Sequence, residues 1–170
     1  MRNTLIFSCF LVLFSCSQKS EEEKLAIKWN QEKSVHLNKE LAIEEELQIK
    51  MFIERYRQWK FETTGTGLRI CFLEKGTGEL AAVGDVVQVE TKYMLLDGTL
   101  CHQTEADEIE EFTVDKSDIE SGVQEAIKKM HIGDKVKLII PFRLAQGLVG
   151  NLQEIPPLAT LVVDLNLIGN

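Results

Sequence analysis

Cys101 and His102 are adjacent, and a thiol beside an imidazole is the pair from which cysteine nucleophiles are built. The imidazole must reach the sulfur through space, however, and neighbours on an extended strand point to opposite faces. No third group that would orient the ring stands at a fixed spacing from them. This spacing therefore does not build a thiol enzyme. His36, His102 and His131 share no metal-ligand spacing, and His131 follows a predicted helix, where a cation suits the dipole. The triplets Gly65-Thr66-Gly67 and Gly76-Thr77-Gly78 lack the Gly-Lys-Ser/Thr ending of a P-loop and the spacing of a dinucleotide loop, so both read as turns. Cys71 and Cys101 are candidates for a disulfide in an oxidising compartment. Such a bridge needs Cα atoms within about 7 Å, which sequence alone leaves open.

The elements that must position these residues read as follows. Leu68, Ile70 and Phe72 alternate with Arg69 and Cys71, predicting a strand. After a turn at Val83-Gly84-Asp85, Val87, Val89, Thr91, Tyr93 and Leu95 line one face of a long strand, which Asp97-Gly98 closes as a hairpin. Phe112 and Val114 mark a further strand. Val123, Ala126, Ile127 and Met130 then recur at i, i+3, i+4 and i+7, the apolar face of a short helix. Ser117 or Asp118 is its expected N-cap, and Gly133 is the left-handed residue expected to end it. Lys135-Val136-Lys137-Leu138 alternates before Ile139-Ile140, predicting a strand with one buried face. Ile155-Pro156-Pro157 must be loop, since proline has no N–H to give a central strand. The alternation resumes from Leu161 to Ile168. The order is that of an α+β fold.

At these positions the chain resembles a known family. Gly122, Met130-His131-Ile132-Gly133-Asp134-Lys135-Val136, Ile139, Ala145-Gln146-Gly147, Gly150, Ile155-Pro156-Pro157, Ala159-Thr160-Leu161, Asp164 and Leu167 look like the C-terminal half of FKBP-type peptidyl-prolyl isomerases. The likeness extends from Gly67 to Ile168. It implies an FKBP-like curved antiparallel sheet wrapped on a short helix, and an activity that uses no nucleophile, metal or cofactor. Rotation about an Xaa-Pro bond costs about 18–20 kcal/mol because the amide loses its conjugation midway. In the family an apolar pocket takes in the proline ring and favours the twisted amide over the planar forms.

That family pocket is built largely of aromatic residues. At its positions this chain carries Thr91, Cys101, His102, Val123, Gln146 and Val163. A further aromatic position falls at Glu110, with Phe112 a substitute if a gap is allowed. Ile155 matches the family and is expected to act through its backbone N–H. Loss of the rings removes much of the apolar contact a proline would make. The resemblance thus implies a retained scaffold with weak isomerase activity towards exported polypeptides. The alternative is a non-catalytic peptide-binding or assembly protein that uses the same scaffold.

The N-terminal third has its own pattern. Arg2 precedes an apolar run from Leu5 to Phe14, too short for a membrane-spanning helix of about 20 residues. Leu13-Phe14-Ser15-Cys16 resembles a bacterial lipobox. Residues 1–15 are then expected to be a lipoprotein signal peptide and Cys16 the lipidated residue, which anchors the chain to membrane in the cell envelope. The expected place is the outer membrane facing the periplasm, or the cell surface. Residues 16–23 read as an acidic tether; Ser20-Glu21-Glu22-Glu23 resembles those of some surface-directed Bacteroidetes lipoproteins. Residues 24–62 read as a helical segment, and residues 63–170 as the FKBP-like domain. Ile49, Phe52, Ile53 and Tyr56 give the segment an apolar stripe that needs a cover: the following domain, a second copy, or a client. A net charge of −8 gives no footprint for nucleic acid, whose phosphates call for clustered Lys and Arg.

Overall fold

The computed structural model describes residues 21–105, 108–151 and 154–169, so Cys16 and its lipobox lie outside the described residues. No glycine or proline interrupts the chain between Glu21 and Thr64, and Glu21–Arg55 forms one helix, α1, of 35 residues. The described residues fall into two units that divide between Leu41 and Ala42. The first is the leading part of α1. The second holds the rest of α1 and every described strand.

In this second unit, β1 (Glu62–Thr63), β2 (Arg69–Glu74), β3 (Val86–Leu95), β4 (Leu100–Gln103), β5 (Glu110–Thr113), β6 (Lys135–Ile140) and β7 (Leu161–Gly169) form one curved, open antiparallel sheet. Their order is β1-β2-β6-β7-β3-β4, and β5 shares the outer edge of β3 with β4. The helix α2 (Ser121–Ile127) packs against β6, beside a core of Val87, Val89, Val123, Ile127, Leu138, Val163 and Leu165. Gly122 permits the close approach: a Cβ there would stand 2.4 Å from Ile140 Cγ2.

Three local expectations are corrected. The N-cap of α2 is Glu120, not Ser117 or Asp118; the Ser117 hydroxyl instead accepts the Thr113 N–H at 2.9 Å. The helix ends at Ile127, before Gly133. Lys129 and Met130 close tight turns onto the carbonyls of Ala126 and Ile127, while Gly133, at φ +94°, serves the turn into β6. Met130 remains fully buried despite lying past the helix.

The third correction concerns β6, which is buried on both faces. Val136, Leu138 and Ile140 face the core with α2, whereas Ile139 lies with Val162 beneath Ile49 and Phe52 of α1. The apolar stripe of α1 is thus covered by its own sheet. Polar groups seal the same face. Lys137, 5% exposed, pairs with Asp164, and its ammonium stands 4.4 Å from the Trp59 ring centroid. Arg69 pairs with Glu46 of α1. The buried Glu45 accepts two hydrogen bonds on one oxygen, Oε1: from the Phe142 N–H at 2.6 Å and from the Thr160 hydroxyl at 2.7 Å. These donors stand at the two ends of the loop between β6 and β7, so α1 clamps both roots of that loop.

Cys71 and Cys101 are free and buried. They sit on β2 and β4, with β6, β7 and β3 between them at about 4.8 Å per step, so the candidate disulfide does not form.

Candidate functional site

The predicted pocket residues divide into an apolar group and a polar group. Val123 from α2, Val163 from β7, Cys101 from β4 and Ile155 from the β6–β7 loop are buried in the same core cluster. Val123 and Val163 are fully covered. Phe112, on β5, joins that cluster opposite Val87, while Glu110 pairs with Val89. Thr91, His102 and Gln146 instead take part in networks centred on two carboxylates.

Glu110 is the first centre. Its Oε1 accepts the Thr104 hydroxyl at 2.8 Å and lies 2.8 Å from His102 Nε2; its Oε2 accepts the Thr91 hydroxyl at 3.2 Å. Thr104 in turn accepts the Thr91 N–H at 2.8 Å, which ties β3 to the segment after β4. Glu120 is the second. Tyr93 donates its hydroxyl to Glu120 Oε2 at 3.1 Å, and Gln146 Nε2 donates to Oε1 at 2.6 Å. One carboxylate therefore joins β3, the N-cap of α2 and the base of the long loop. The Tyr93 and His102 rings, cross-strand partners, lie 6.0 Å apart and connect the two networks.

Burial, then the Glu120 carboxylate, push the Tyr93 hydroxyl far above its ordinary range, so it stays a donor. Burial likewise pushes the Cys101 thiol up, aided by the charges of Glu154 and Asp97. A thiol held protonated in this way is a poor nucleophile. His102 engages Glu110 rather than the sulfur, so the adjacent Cys101-His102 pair builds no dyad. Ile155 has its N–H committed to Asn151 Oδ1 at 2.7 Å, inside the loop. The donor expected there for a substrate carbonyl is already occupied.

Sequence reasoning placed Tyr93 on the inward face of its strand without giving it a role, and it missed Thr104 and Glu120. One signal was available: a buried tyrosine hydroxyl needs a polar partner. An open cleft of about 310 Å3 borders the Glu110 network: Thr91 and Thr104 line it together with Lys92, Gln103, Asp164 and Asn166, and its lining residues are all polar. Among the described residues no group of His, Cys, Asp and Glu side chains could hold a metal ion, and no helix is long and apolar enough to cross a membrane.

Residues 78–168 match the family described as FKBP-type peptidyl-prolyl cis-trans isomerase. The chain is 33% identical over 121 residues to the FKBP-type 22 kDa peptidyl-prolyl cis-trans isomerase of Escherichia coli, covering 71% of this chain and 58% of that one. It is 34% identical over 129 residues to the FKBP-type isomerase FkpA of the same species, covering 75% of this chain and 47% of that one. It thus spans about half the length of these curated relatives. The crystal structure of Escherichia coli FkpA superposes with a TM-score of 0.65 and 31% identity, covering 91% of this chain and 73% of that one. With sheet, helix and loop arranged as described, and with the match taking in more than half of its residues, the chain belongs to the FKBP-type peptidyl-prolyl cis-trans isomerase family.

Proposed function

We propose that the chain is a peptidyl-prolyl cis-trans isomerase of low turnover. It acts on extended segments of exported polypeptides and is held in the cell envelope by a lipid on Cys16, residues 16–23 serving as tether. The observation that supports this reading is that Cys101, Val123, Ile155 and Val163, positions the resemblance assigns to the pocket, share one buried cluster and carry no aromatic ring. Thr91, His102 and Gln146 are polar and bonded to Glu110 and Glu120, while Cys101, Val123 and Val163 are small and buried. An apolar wall of this kind still favours a twisted, less polar amide over a planar one. Its contact area is smaller than an aromatic pocket's, and so is the differential stabilisation on which the rate depends.

The engaged N–H of Ile155 favours a second reading, a non-catalytic domain that holds a peptide or one assembly partner. Exchange NMR on a set of Xaa-Pro peptides separates the two. Slow turnover of peptides with varied Xaa supports the isomerase. Absence of turnover on every peptide, with saturable binding of one sequence, supports the holder and removes the enzyme.

A further inference from the structure

Tyr93 is the one aromatic ring that β3 sends inward, two residues along the same face from Thr91. In register it stands opposite Val163 on β7 and His102 on β4. The residue is 7% exposed and shares one continuous cluster with Cys101, Val123, Ile155 and Val163, the four apolar pocket positions. Its hydroxyl ends on Glu120, whose other oxygen holds Gln146. The side chain is therefore rooted in the sheet wall of the site and tied at its tip to the helix cap and the loop base, so it spans the space between them. Protein interiors do not keep voids of ring size empty. The resemblance implies a large residue at 123; with the smaller Val123 there, the phenol ring, in the same cluster and bonded to Glu120 three residues earlier, is placed to supply the missing bulk.

Resting on the isomerase reading above, we infer that Tyr93 determines what the site accepts. Its ring occupies the volume a substrate proline needs, and a proline enters only when the tether to Glu120 and Gln146 lets go. The low turnover then follows from competition between an internal ring and an external one, in addition to the lost aromatic walls.

The test uses the full chain and a tetrapeptide with a leucyl-prolyl bond, with isomerisation followed by exchange NMR and folding by cooperative thermal melting. Tyr93→Ala opens the space and is expected to raise kcat/KM by about tenfold. Tyr93→Phe keeps the ring but cuts the tether, and is expected to raise it by about two- to threefold, mostly through KM. A native chain that turns the peptide over, beside a folded Tyr93→Ala that is no faster, overturns the role of Tyr93 and leaves the isomerase reading standing. Absence of turnover in both overturns the two together. If Tyr93→Ala does not fold, Tyr93→Phe decides: a rise supports the inference, and an unchanged or lower rate overturns it.

Discussion

Removing the Glu45 carboxylate should loosen the helix and the loop at once. Its Oε1 accepts from the Phe142 N–H at 2.6 Å and the Thr160 hydroxyl at 2.7 Å, all in a buried setting. A hydrogen bond to a charged group is worth about 1.5–3 kcal/mol, and a buried donor left without a partner costs about 1–3 kcal/mol. Relief of the carboxylate's own desolvation offsets part of that loss. The net cost expected for Glu45→Ala is about 3 kcal/mol. Glu45→Gln keeps an oxygen that can accept both bonds but loses the charge and exchanges the second oxygen for an amide NH2, so about 1 kcal/mol is expected. In a domain of this size the alanine change corresponds to a fall of about 10 °C in melting temperature. Urea denaturation of the full chain, followed by circular dichroism, measures both variants. Thr160→Val in a double-mutant cycle isolates one of the two bonds. The clamp is refuted if Glu45→Ala costs less than about 1 kcal/mol, or if Glu45→Gln costs as much as Glu45→Ala.

Two further outcomes follow from packing and protonation. Gly122→Ala places a methyl 2.4 Å from Ile140 Cγ2. Although alanine favours helix over glycine by about 1 kcal/mol, overpacking should win and cost about 1–3 kcal/mol; a melting temperature at or above the native value would count against this packing. Tyr93 and Cys101, with ordinary values of 10.0 and 9.0, both hold their protons more tightly when folded. Their contribution to stability is complete below about pH 9 and is lost above it, because the unfolded chain releases protons that the folded chain keeps. The urea midpoint should therefore fall between pH 9 and 11, and fall less steeply in a Tyr93→Phe, Cys101→Ala double variant; equal slopes would remove these groups as the cause.

Much of the fold was legible because strand alternation and turn chemistry are local. Val87, Val89, Thr91 and Tyr93 mark the inward face of β3, and Asp97-Gly98 closes its hairpin as expected. What the sequence hides is the second cover on β6. Lys137 reads as an exposed residue in an alternating strand, and only the tertiary placement of Trp59 and Asp164 makes its burial tolerable. The end of α2 was misplaced for a related reason. Met130 continues the helical period, but the chain must already be turning to reach β6. At the candidate site, the resemblance supplied positions. It gave Glu110 only as the place of a missing aromatic, and it did not supply Glu120, whose partners Tyr93 and Gln146 lie 27 and 26 residues away in the chain. Nor does periodicity distinguish a tyrosine that packs in a core from one that fills a site.

The position of β7 has a consequence for how the molecule is made. Residues 161–169, the last strand in sequence among the described residues, lie between β6 and β3 and pair with both. Until they have been synthesised, the long strand β3 lacks its main partner and β6 has only β2. Loop closure across some seventy residues must precede the pairing of β3 with β7, which makes that step slow. A nascent chain of this topology completes its sheet only when its last described strand is available. The centre of the sheet is therefore filled last, although in the finished molecule it is the strand paired along its length on both sides.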